Sequence, residues 1–394
     1  MSDLDDHVVH EAVGPSLSPR AAAACLAVGV NGLLVVGVLP ILLGTLADEH
    51  RLAAAGIGQA ATTELLAMGL VTAAFGMIKR PRRVRLIALG ASLGLAAADL
   101  ATMAATGAGV PAARAAAGAM EGILLWISVS MIARTVTPER WAGVFFTAQT
   151  LAQLALAVVM ALWLIPHWGA DGGYAALAIV ALLGAAPILA LPDAFAPLVG
   201  DSGQGGAPPI RGWAALIATV IYVSAAGAVS VYLVPLAHQS GLGSGVARTA
   251  QWVNLAAQVA GGVAATVMAG RVRYFTVFLV ASTIYLSAWL LFSRTLAAVP
   301  FVGVFATTGF AGLLIGAFLT PMTIDADPSR RAAMQGGAAQ LMGGALGPLL
   351  ASWAVSGRDA HGVLALGAAL MLTGLAAIAG LHFTAGRLTV RAPR

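Results

Sequence analysis

Of the 394 residues, 59% are hydrophobic and only 9% are charged, against about 25% charged in an ordinary soluble domain, which excludes a water-soluble globule of this size. The net charge of +5 comes from arginine, with Lys79 the one lysine; it is spread over short loops rather than gathered in a patch, so nucleic acid is excluded as a partner. Cys25 is the single cysteine, which excludes an intramolecular disulfide and a cysteine metal cage.

In chain order, the first twenty residues are polar and acidic (Asp3, Asp5, Asp6, Glu11) and lack the basic start of a secretory signal. They read as a cytoplasmic tail. Runs of about twenty apolar residues are long enough to cross a bilayer as helices. Six fall near 21–46, 52–78, 86–105, 113–134, 142–165 and 173–191, and six more near 212–237, 245–270, 274–293, 298–319, 332–354 and 362–384. Between the sixth and seventh lies a polar stretch, 192–211, containing DSGQGGAPP. It reads as a linker joining an N-terminal bundle (21–191) to a C-terminal bundle (212–384), with a short tail at 385–394. The fold class is thus an all-α integral membrane protein of twelve transmembrane helices in two pseudo-symmetric six-helix bundles.

Orientation follows from Lys and Arg, which cytoplasmic loops retain. With the N-terminus inside, 16 of the 21 lie on the inner side, and Arg51, Arg114, Arg248, Arg294 and Arg358 make up the outer 5. Both termini are expected to be cytoplasmic, in a cell inner membrane, with 79–85 and 192–211 inside and 166–172 outside. The halves also read as diverged copies. RRVR at 82–85 and GRVR at 270–273 are offset by 188 residues, Arg140 and Arg331 by 191, Gln149 and Gln340 by 191, and Pro40 and Pro235 by 195. Such a pattern fits a parallel repeat about an axis along the membrane normal.

This layout, with a basic loop between the second and third spans, resembles the major facilitator superfamily over nearly the whole chain. The loop GMIKRPRRVR, from Gly76 to Arg85, keeps the basic cluster of that family's loop motif, but Arg80 replaces its acidic residue and Arg83 its second glycine. Arg114 and Gly118 in the fourth span resemble the R-x-x-x-G segment of proton-driven efflux members. The resemblance implies a proton-coupling role for that arginine. The eleventh span carries GGALGP at 343–348, whereas the fifth lacks the G-x3-GP-x2-GG associated with antiporters.

An ionised group inside a bilayer is costly, and by default marks function. Glu64, Asp99 and Glu121 are the acids well inside spans, all in the first half. Glu64, about twelve residues or roughly 18 Å into its span, ranks first by depth. Arg114 and Glu121, seven residues apart, share a helix face with Gly118 between them. These four form the expected proton-coupling set; a static pairing that merely holds helices together is the alternative. Asp48 and Glu49, ending the first span, read as solvated loop.

The second half offers amides and aromatics instead. Gln251, Asn254 and Gln258 make one face of the eighth span, Tyr222 and Tyr232 lie in the seventh, and Gln335 and Gln340 lie in or beside the eleventh. With Asn31, Trp126, Gln149 and Trp252 they form the expected substrate-binding set, ordinary interhelical bonding being the competing reading. No histidine and acid stand at metal-binding spacing, and there is no G-x4-G-K-[ST]. The sequence reads as a non-enzymatic, cofactor-free monomer that exchanges a small organic solute for protons, by antiport and in the export direction. Proton-coupled uptake, or a receptor or scaffold on the same fold, are the alternatives.

Overall fold

The first apolar run forms one 30-residue helix, α1 (Pro19–Asp48), with Pro19 in its first turn and Ser18 capping the N–H of Ala21 at 3.2 Å. The structure, a computed structural model, describes residues 18–76, 78, 82–132, 138–195, 207–268, 271–328, 331–356 and 359–389. Most of the two tails, the centre of the linker, and Lys79, Arg80, Arg134, Arg330, Arg358, Arg391 and Arg394 lie outside those residues.

The remaining spans are α2 (Ala54–Gly76), α3 (Val84–Ala104), α4 (Gly109–Ile132), α5 (Pro138–Val159), α6 (Ile165–Leu183), α7 (Ile210–Ser230), α8 (Ser244–Met268), α9 (Tyr274–Phe292), α10 (Ala298–Ala326), α11 (Gly336–Ala354) and α12 (Gly362–Thr389). Twelve helices therefore cross the bundle, and among the described residues the only β pairs are the isolated bridges Arg82–Ala194 and Ser356–Asp359. Closing every backbone bond within a helix is what lipid demands.

Several boundaries differ from the sequence reading: α10 runs to Ala326 rather than 319 and α12 to Thr389, into the expected tail, and two others change the path of the chain. The stretch 166–172 is no loop: α5 runs through a π turn, Met160–Leu164, into α6, and the backbone breaks only at Gly169 (φ 60°, ψ −152°). The break frees the N–H of Ala170, which Glu49 accepts at 2.7 Å. Glu49 is thus a cap as well as a surface acid. The seventh span divides into α7 and a short helix, Leu233–Gln239. Pro235 cannot donate to the carbonyl of Val231 and its ring crowds that oxygen, so the chain breaks at 231–232. Pro40, its offset partner, stays inside the continuous α1.

Helix contacts repeat between the halves. α4 packs on α1, α2 and α3 as α10 packs on α7, α8 and α9, while α1 meets α5 and α6 as α7 meets α11 and α12. By composition alone, eight stretches are apolar enough to cross a membrane, one of them containing both α5 and α6. The three helices that fall short are α2, α8 and α11. α2 and α11 pack across the halves, as do α5 and α8, and Thr62 on α2 and Gln251 on α8 bond to the other half.

Contacts between the halves gather on the side away from the termini. Thr62 donates to the carbonyl of Ala345 at 3.0 Å, Gln251 Nε2 to that of Gly37 at 2.7 Å, and His238 Nδ1 stands 3.6 Å from Asp48. Gly58 lets α2 approach Pro348 and the hydroxyl of Tyr232; a Cβ there would overlap both. Toward the termini, α1 is buried apart from a line through Ala23 and Ala27, and α7 leaves Trp213, Ala214 and Ile217 exposed. These exposed residues lie at the end of the bundle that bears the chain ends.

Candidate proton and solute sites

Glycines bring the first site together. Gly118 and Gly122, one turn apart on α4, lie directly against the carbonyls of Glu64 and Met68 on α2, with no room for a side chain. That close approach sets Arg114, five residues into α4, beside Glu64. Arg114 Nε donates to Glu64 Oε2 at 3.0 Å and its Nη2 to Glu64 Oε1, a two-pronged bond. Its Nη1 donates to Asp99 Oδ1 at 2.7 Å and reaches Thr102 Oγ1 at 3.4 Å, both on α3. Glu121 stands further off, its Oε1 3.6 Å from Nη2, and its Oε2 has no partner. The Tyr174 ring of α6 covers the guanidinium carbon at 5.1 Å. Arg114 and Glu64 are 0% exposed, Asp99 1% and Glu121 2%.

All four residues of the expected proton set are therefore in one cluster. Glu64, with no basic neighbour in sequence, turns out to be the main partner of Arg114. Three carboxyl groups around one cation make a net charge of −2 if all are ionised. In a site sealed from water such an excess is costly, so charge balance asks for protons on the carboxyls.

A second network sits over the first. Arg51 donates to Asp171 Oδ1 at 2.7 Å and to the carbonyls of Thr102, Met103 and Ala105 at 2.8, 2.6 and 3.2 Å. It ties the ends of α3 and α6 together one turn beyond Asp99. Tyr174 and Arg51 escape a sequence reading, because each joins the site from a segment distant in the chain, whereas Thr102, one turn past Asp99 on α3, was visible in the i, i+3 spacing.

The solute candidates are scattered more widely. Trp126 is buried in the first half, its ring 5.2 Å from that of Phe75. Asn31 lies against Gly184 at the end of α6. Tyr222 bonds Ser282 at 2.8 Å inside the second half, edge-on to Phe278. Asn254 donates to the carbonyl of Phe305 at 2.7 Å and accepts from Gln258 at 3.1 Å, so the amide stripe is partly bonded to itself. Gln340 borders a cavity of about 40 Å³ with Thr219, Thr320 and Thr323; Gln335 is exposed at the start of α11. Gln251 reaches across to α1, and Tyr232 lies against Gly58, both where the halves meet. Gln149 and Trp252 sit half-buried on α5 and α8, with Gln149 Oε1 and Trp252 Nε1 unpaired. Gln153, one turn from Gln149, donates to the carbonyl of Leu33 at 2.6 Å; that i, i+4 spacing was visible in the sequence. Among the described residues no group of three His, Cys, Asp or Glu is placed to hold a metal.

No family model and no curated protein matches the sequence. Solved structures do match in shape. The nucleoside transporter NupG superposes with a TM-score of 0.72 at 12% identity, over 92% of this chain and 99% of its own. A bacterial homolog of the human lysosomal transporter Spinster, inward-facing and unoccupied, gives 0.62 at 13%, over 96% and 100%. The human organic anion transporter MFSD10 gives 0.63 at 14%, over 92% and 100%. These are transporters of the major facilitator type, and the chain shares their fold.

Proposed function

We propose that this protein is a secondary active transporter that carries a small organic solute by alternating access of the halves 21–191 and 212–384, exchanging it for protons in the direction of export. The observation that carries this reading is the buried surplus of acid around Arg114. One guanidinium, already held in two-pronged fashion by Glu64 and bonded by Asp99, leaves Glu121 with an unpaired oxygen. A cluster whose charge balance needs protons can take one up and give it back as the halves rearrange. Depth in the sequence ranks Glu64 first; the bond pattern ranks Glu121 first as the exchanging group, with Glu64 as the fixed counter-ion.

The bias of arginine toward the termini side supports a cytoplasmic location for both chain ends, and with it an inner-membrane location and a cleft open to the cytoplasm. Nothing in the cluster calls for a second copy, and we read the working unit as a monomer. The test is flux in proteoliposomes: an imposed pH gradient should drive accumulation of the solute, and reversing the gradient should reverse it. Gradient-independent flux would sink proton coupling, and uptake with the proton flow would replace export by symport.

A further inference from the structure

Fixed charge is distributed unevenly through the bundle. Among the described residues, the acidic and basic side chains deep within the spans are Glu64, Asp99, Arg114 and Glu121, all closed inside the first half. Arg248 lies in the first turns of α8 on the side away from the termini, near Asp48. Arg20, Arg211 and Asp325 lie at the opposite end, where α1 and α7 begin and α10 finishes. At mid-depth α5 and α8, which pack against each other across the halves, therefore carry amides, an indole and aliphatic side chains.

The polar atoms left unpaired there form a pattern. Gln251, 5% exposed, spends its Nε2 on Gly37 and leaves Oε1 free. Gln149 Oε1 on α5 and Trp252 Nε1 on α8 also lack partners. Buried polar atoms are rarely left so, and those that are mark a missing partner. Two carbonyl acceptors and one N–H donor stand unpaired on the helices that meet across the halves.

We propose that the cleft selects an uncharged, planar solute bearing both hydrogen-bond donors and acceptors, its ring against Trp252 and its polar edge meeting Gln149 and Gln251; its role as cargo rests on the transport reading above. An anion or cation drawn to mid-depth would lose its water with no opposite charge to meet it, a heavy cost. A neutral ring with N–H or O–H groups would instead repay the three orphans.

Binding to the purified full-length protein in detergent tests this with matched compounds: benzamide against benzoate and benzamidine, and thymidine against its 5′-monophosphate. The neutral members should bind at least about tenfold tighter than their charged partners, as three newly made hydrogen bonds against an unpaired buried charge require. Trp252→Phe, which removes the N–H together with part of the indole's ring surface, and Gln149→Leu, away from the bond to Gly37, should each weaken neutral binding by about tenfold. Benzoate, benzamidine or the nucleotide binding as tightly as its neutral counterpart would overturn the proposal, and so would a set in which no neutral member binds. Neutral-selective binding without flux in proteoliposomes would sink the transport reading alone. Gradient-driven flux of the anions would do the reverse.

Discussion

Asn254 occupies in the second half the place that Glu64 holds in the first. The carbonyl of Glu64 lies against Gly118 and that of Asn254 against Gly309, and the two pairs are offset by 190 and 191 residues. Phe305, whose carbonyl takes the Asn254 amide, is offset from Arg114 by the same 191. The repeat has kept the glycine that lets two helices touch and has exchanged the charges beside it. Gly118→Val and Gly309→Val should therefore each cost about 1–3 kcal/mol through overpacking, seen as lower melting temperatures in detergent. Gly303→Val, where a Cβ meets open space, should leave the melting temperature nearly unchanged. If all three variants melt together, close approach at these glycines is not what fixes the bundle.

Removing the one cation should be worse than removing one of its partners. Arg114→Met leaves three carboxyl groups facing one another and should cost about 3–5 kcal/mol, the range for breaking a buried pair on one side. Adding Glu64→Gln and Asp99→Asn to Arg114→Met should recover part of that loss, because charge is then removed on both sides. Thermal melts of the single and combined variants measure the coupling. A combined variant as unstable as the sum of its parts would mean that the groups do not act as one cluster.

The spans and the repeat were legible because lipid imposes long apolar runs and because loop arginines mark one side. What was not legible depended on single backbone events. Pro40 and Pro235 look alike in sequence, yet one sits in a continuous helix and the other ends one. Gly169 turns an expected loop into a kink within two joined helices. At the site, the four charged residues stood out because burial makes them costly, but their pairing was set by Gly118 facing Glu64, a contact between residues 54 apart. Sequence depth ranks Glu64 ahead of Glu121, but depth says nothing about which acid is already bonded to Arg114.

Orientation can be read with cysteines, since Cys25 is buried and should react little. The stretch 166–172 makes a poor reporter now that it lies at a helix junction. His50, exposed with φ 59° between α1 and α2, and Ala194, exposed after α6, are better. In intact cells an impermeant maleimide should label His50→Cys and spare Ala194→Cys. Labelling of Ala194→Cys alone would invert the topology and turn the cleft outward.

The proton coupling proposed above turns on the uneven ties of the three acids to Arg114. Glu64 makes two bonds to the guanidinium and Asp99 one, whereas Glu121 approaches only to 3.6 Å with its other oxygen unpaired. Glu121→Gln keeps the shape and removes an exchangeable proton without taking a bond from Arg114, so the fold should melt within about 1 kcal/mol of the parent. Uphill accumulation driven by a pH gradient should be lost, while solute exchange at equal concentrations persists and no longer varies with pH. Glu64→Gln should instead lower stability by about 1–3 kcal/mol, because it unpairs a buried charged donor, and the surviving protein should still respond to a gradient. Paired measurements of melting temperature and of gradient-driven against exchange flux separate the two roles. Full uphill transport by Glu121→Gln would remove it as the exchanging group. Persistence of that transport with Glu64, Asp99 and Glu121 all neutralised would mean that no proton is carried by the first half.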